Sequence, residues 1–198
     1  RRTIKGALRF SMLALLAIAC PIAGASSGVM RIAYPEEYLA GAPALGALVF
    51  GIAAFALFVI TATVLTSAGQ PRVAALIAGV SLGVVLVATR LFIVAAGPDN
   101  DALLAAALGT CAGTVFALLG AGAAVYARFR AFLPPLSVVR GGLAGAGAFA
   151  AAAFIPHASR VMSVVALAGG FAAFLLGLVI TGELDKSELK AARTALGV

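Results

Sequence analysis

The chain has 198 residues, of which 63% are hydrophobic and 11% charged; soluble domains carry roughly one-quarter charged residues, so water is not its main solvent. The 14 Lys and Arg outnumber the 7 Asp and Glu, but they sit in the gaps between apolar runs instead of clustering on one soluble face. That distribution argues against nucleic acid as a partner and for the lipid bilayer.

In chain order, the apolar runs fall at about 7–30, 39–66, 73–96, 102–127, 138–155 and 161–181. A helix needs about 20 largely apolar residues to cross a bilayer. Six runs therefore predict a lobe of six transmembrane helices over 1–182, followed by a short cytoplasmic tail helix over 183–198. Spanning strands are not expected, because these runs are apolar all round and do not alternate. The predicted fold class is an all-α integral membrane protein.

The first run, from Gly6 to Met30, exceeds a signal-peptide core and lacks a clear cleavage site, so it reads as a span. The chain opens on Arg1-Arg2 and not on Met, and further sequence upstream is expected. Pro21 removes a backbone donor inside this run and frees the carbonyl of Ala17, which predicts a kink. The kink serves either as a hinge or as a static packing feature.

The connections are RIAYPEEY (31–38), SAGQPR (67–72), GPDND (97–101), RFRAFLPPLS (128–137) and PHASR (156–160). Each holds turn formers or charges, as helix ends require. Placing the N-terminus inside puts the basic N-terminal end, Arg72, Arg128, Arg130, Arg140 and the cations of the tail on the cytoplasmic side. Only Arg31 and Arg160 then fall outside, with Glu36, Glu37, Asp99 and Asp101. This bias, with an even number of spans, predicts that both termini are cytoplasmic.

Small-residue spacings recur as GASSG (24–28), GVSLG (79–83), GTCAG (109–113) and GGLAGAG (141–147), and together they predict close helix packing. Cys20 and Cys111 lie inside apolar runs without metal-ligand or redox spacing and read as small core residues.

Arg90 is the one ionisable residue well inside a run, seven positions before Gly97 and so about 10 Å below the helix end. At 100° per residue it lies within about 20° of both Gly79 and Gly83 around the axis, which predicts that it shares a close-packing face. As a substrate-binding residue it would line a path for an anionic substrate, since guanidinium matches phosphate oxygens in pairs. The alternative is a side chain snorkelling to the headgroups.

Glu36, Glu37, Asp99 and Asp101 are on loops and have no His or Cys ligands beside them, and they read as solvated acids. His157, the only histidine, follows Pro156 in a short turn with no nucleophile next to it. No catalytic constellation, metal site or cofactor motif is read from the sequence, and the chain is not expected to be an enzyme. Asp185 and Glu188 have the spacing of a helix N-cap and its reciprocal partner, which starts the tail helix.

The order of elements resembles the C-terminal half of the polysaccharide flippases of the multidrug/oligosaccharidyl-lipid/polysaccharide (MOP) exporter superfamily. The resemblance covers nearly the whole chain and rests on the Pro21 helix, then RIAYPEEYLAGAPAL with Tyr38 and Leu45. The turn in VLTSAGQPR with Gly69 and Arg72, and the ending GLVITGELDKSELKAARTAL, complete it. The loop PDNDALLAAAL departs from the family's Gly-Ala-Ala pattern.

The resemblance implies flipping or export of lipid-linked saccharides across the bacterial cytoplasmic membrane by alternating access. It further implies a missing N-terminal lobe and an anionic lipid-linked glycan received in a cationic cavity between the lobes. The alternatives are a cation-coupled multidrug exporter of the same superfamily, a membrane-embedded transferase, or a non-transporting assembly protein. An ion-coupled exporter would place a carboxylate in the membrane, and no acid lies within a run.

Overall fold

The computed structural model describes residues 2–97, 102–130, 132–156 and 159–183. Seven α-helices follow one another: α1 (Arg2–Gly24), α2 (Ser26–Ala33), α3 (Ala42–Ser67), α4 (Pro71–Ala96), α5 (Ala102–Phe129), α6 (Pro135–Phe154) and α7 (Arg160–Ile180). A 3-10 turn over Glu36–Gly41 links α2 to α3, and no strand occurs among the described residues. All but α2 are long and apolar enough to cross a membrane, so the predicted six-span character holds.

The first run differs from expectation. Instead of one span over 7–30 there are two helices, broken at the fully buried Ala25, and α2 is too short to cross a bilayer. Gly24 lies flush against the Phe149 backbone carbonyl of α6. The chain therefore changes direction where α6 presses on its backbone.

Helix ends follow local chemistry. Gly69 (φ +78°) terminates α3 with paired bonds, from its own N–H to Thr66 O at 3.0 Å and from Gln70 N–H to Leu65 O at 3.0 Å. This is the Schellman arrangement that glycine in the left-handed region permits. Pro71 and Pro135 occupy the first positions of α4 and α6, where no backbone donor is needed. The Ser159 hydroxyl accepts the Met162 N–H at 3.2 Å and caps α7.

The six long helices sort into two groups of three. In one, α5 lies between α3 and α4; in the other, α1, α6 and α7 pack mutually, and contact between α1 and α3 joins the groups. The first core gathers Phe58, Leu65, Ala74, Ala117, Ala121 and Val125, and the second Met12, Leu13, Cys20, Leu57, Phe174 and Leu178 with Ala144 and Ala148.

Close approach comes from small residues. On α5, Ala105, Gly109, Gly113, Ala117, Ala121 and Val125 recur every four residues and are all buried. A Cβ at Gly109 would collide with the Thr89 backbone, and one at Gly113 with Val85, both on α4. On the far side, Gly51 of α3 meets Cys111, whose thiol donates to Ala47 O at 3.0 Å. Without a hydrophobic drive between helices in lipid, such backbone-to-backbone contact supplies the dispersion energy that holds a bundle.

Candidate functional site

Arg90 lies on α4 as expected, but not on a packed face. The side of α4 that meets α5 carries Ala74, Ser81, Val85 and Thr89, roughly opposite Arg90 at 100° per residue. Gly79 and Gly83 have open space where a Cβ would stand, and Arg90 is exposed beside them. This corrects the expected close-packing face: α5 supplies the small residues at the α4–α5 contact, so α4 has no need to turn its own glycines inward.

Around Arg90 the uncovered surface is apolar, with Leu76, Leu82, Leu86, Leu91 and Val94 each more than half exposed. A shallow recess of about 380 Å³ runs along it, lined by Val80, Gly83, Val84, Val87, Ala88 and Leu91. Arg90 makes no hydrogen bond or ion pair with any described residue. A guanidinium in an apolar surface, with no counter-charge among the described residues, can receive an anion from outside the bundle.

Pro21 is buried in α1, with its ring against α7 where Gly170 leaves room. α1 runs through Pro21 to Gly24, and the break between α1 and α2 falls at Ala25, whose N–H bonds the Pro21 carbonyl at 2.9 Å. Cys20, next to Pro21, is buried and fits against Gly145 of α6.

Tyr38 and Leu45, seven positions apart, both line a recess of about 530 Å³. Met30, Tyr34, Leu103 and Thr110 complete its walls between α2, α3 and α5. The Tyr34 and Tyr38 rings are tilted against one another with centroids 5.8 Å apart. Glu36 and Glu37 are exposed on the adjoining 3-10 turn. Asp99, Asp101, His157, Asp185 and Glu188 lie outside the described residues, as does the tail helix beyond Glu183.

The sequence reading missed a polar cluster. Glu183 falls in the stretch 183–198 expected to form the cytoplasmic tail helix, yet it is only 3% exposed. Gly182 (φ +65°) ends α7 in the same Schellman arrangement, Gly182 N–H to Val179 O at 3.2 Å and Glu183 N–H to Leu178 O at 3.0 Å. The turn carries Glu183 back over the end of the bundle. There Arg9 of α1 donates from Nε to Glu183 Oε1 at 2.7 Å, and Arg140 of α6 from Nη1 to Oε2 at 3.5 Å.

Arg9 also donates to the Glu183 carbonyl and Arg140 to the Gly182 carbonyl at 3.4 Å, so both cations cap the C-terminus of α7. Burial pushes the Glu183 carboxyl up, but bonds from the Ser137 hydroxyl, Arg9 and Arg140 outweigh it, and the carboxyl ends below its ordinary range. A signal was present in the sequence: ITGE places glycine, then an acid, directly after an apolar run.

Six apolar helices with small-residue seams define a multi-pass helical membrane protein. In comparison with known proteins, the chain matches no family model, no curated protein and no solved structure.

Proposed function

We propose that this chain is one lobe of an alternating-access transporter that flips or exports anionic lipid-linked saccharides across the bacterial cytoplasmic membrane. Both termini face the cytoplasm in this reading, and a second lobe of the same protein completes the path. The observation that carries it is Arg90, a cation exposed on a face of α4 that the other described residues leave uncovered. Such a charge costs several kcal/mol in hydrocarbon, and a water-filled passage between lobes removes that cost while offering a partner for substrate phosphate.

Two further features support the reading. The α4 face is lined by open glycines, which let a second surface or a ligand come close to the backbone. The Tyr34–Tyr38 recess offers an apolar and aromatic surface at the opposite end of the bundle from Glu183.

The test uses the full-length protein with Cys20→Ala, Cys111→Ala and Arg90→Cys. A membrane-impermeant thiol reagent is expected to label position 90, and Arg90→Ala is expected to abolish complementation of a flippase-deficient strain. Full complementation by Arg90→Ala at normal expression, with no labelling at position 90, would discard the role.

A further inference from the structure

Arg9 and Arg140 approach one carboxylate from two helices, Arg140 from α6 and Arg9 across from α1. The two carboxylate oxygens are divided between the two guanidinium groups, Oε1 to Arg9 and Oε2 to Arg140. Donors spaced to take two oxygens of a planar carboxylate also suit two oxygens of a phosphate.

The occupant holds Arg140 loosely. The Arg140 contacts of 3.4 and 3.5 Å are longer than the usual 2.7–3.2 Å. The Arg140 side chain is 40% exposed, while Glu183 is sealed behind it. Glu183 lies past the last residue of α7, so its side chain can swing aside while its backbone keeps the turn that ends the helix.

Position along the bundle suggests what reaches the site. Ser137 and Arg140 are in the first two turns of α6, and Glu183 directly follows α7. In a six-span bundle this is headgroup depth, where lipid phosphates are concentrated and basic pockets between helices collect them. Arg128 and Arg130, at the end of α5, add positive charge to the same end of the bundle.

We propose that Arg9 and Arg140 form a receptor for the phosphate group of an anionic lipid, and that Glu183 is its built-in, displaceable occupant. The receptor is separate from Arg90 and does not depend on which substrate is transported. Glu183 sets the threshold: it keeps the two cations partnered when no phosphate is present, and it competes with phosphate when one arrives.

The experiment measures binding of dioleoylphosphatidic acid, against dioleoylphosphatidylcholine, to the purified full-length protein by native mass spectrometry. Glu183→Gln keeps the shape and removes the competing charge, and is expected to bind phosphatidic acid about tenfold more tightly than the unaltered protein. Adding Arg140→Gln to that variant is expected to remove the gain. Unchanged or weaker binding by Glu183→Gln overturns the proposal.

Should Glu183→Gln fail to fold, Arg140→Lys in the otherwise unaltered chain decides the matter, because it keeps the charge but loses the paired donors. At least threefold weaker phosphatidic acid binding supports the receptor, and unchanged binding overturns it. Inorganic phosphate at millimolar concentration is added to each measurement. Failure to displace the lipid supports the headgroup as the source; displacement supports a receptor for free phosphate.

Discussion

The Glu183 carboxylate and the Arg9 guanidinium, 174 positions apart in the chain, meet at 2.7 Å. This contact fastens the end of the last helix to the first, and Arg140 ties α6 into the same knot. Removing one partner of a buried pair leaves an uncompensated charge, which costs about 3–5 kcal/mol. Arg9 and Arg140 keep partial contact with solvent, so Glu183→Ala is expected at the lower end, about 3 kcal/mol, read from denaturation in SDS–detergent mixtures.

The same contact makes stability depend on pH. In the folded chain the Glu183 carboxyl lies below its ordinary value of 4.5. Its contribution is therefore complete above about pH 4.5 and disappears as pH falls through the folded value. Melting temperature is expected to drop on acidification in that window, and Glu183→Gln is expected to flatten that part of the profile.

Gly182 sits at φ +65°, a conformation that costs a side-chain-bearing residue about 1–2 kcal/mol. Gly182→Ala is expected to lose about that much stability and to unseat Glu183 behind it. Gly69, with φ +78°, serves as the control: Gly69→Ala carries the same backbone strain but leaves the pH profile unchanged.

Glycines that look equivalent in sequence part company in the fold. Gly113→Leu drives a side chain into Val85 of α4 and is expected to cost more than the 1–3 kcal/mol of ordinary overpacking. Gly83→Ala points into open space and is expected to stabilise α4 by about 0.5–1 kcal/mol. Thermal denaturation of the two variants side by side checks the contrast.

Pro21 packs its ring against α7 at Gly170. Pro21→Ala is expected to change stability by about 1 kcal/mol or less, because restored helix propensity offsets lost packing. Under the transport function proposed above, unchanged complementation by this variant would mark the residue as packing, and lost complementation at an unchanged melting temperature would mark it as a hinge.

Composition alone determined that the chain is an all-helical membrane protein, because runs of about 20 apolar residues have few other ways to satisfy their backbones in lipid. The turns were equally legible: Gly69 before Pro71, and Pro134-Pro135 before α6, act through local backbone geometry that needs no partner. Arg90 was visible as an isolated charge, since the sequence shows what surrounds a residue along the helix.

Which way a helix faces was not legible. Gly79–Gly83 and Gly109–Gly113 have the same spacing, yet the first pair is open and the second is jammed against α4. In apolar spans, the face turned to lipid and the face turned to protein have the same polarity, so periodicity cannot distinguish them. Glu183 was misplaced for a related reason: its burial comes from a one-residue glycine turn and from two arginines more than 40 positions away. Only the tertiary structure, by bringing α1, α6 and α7 to one end, decided that this acid is the best-held charge among the described residues.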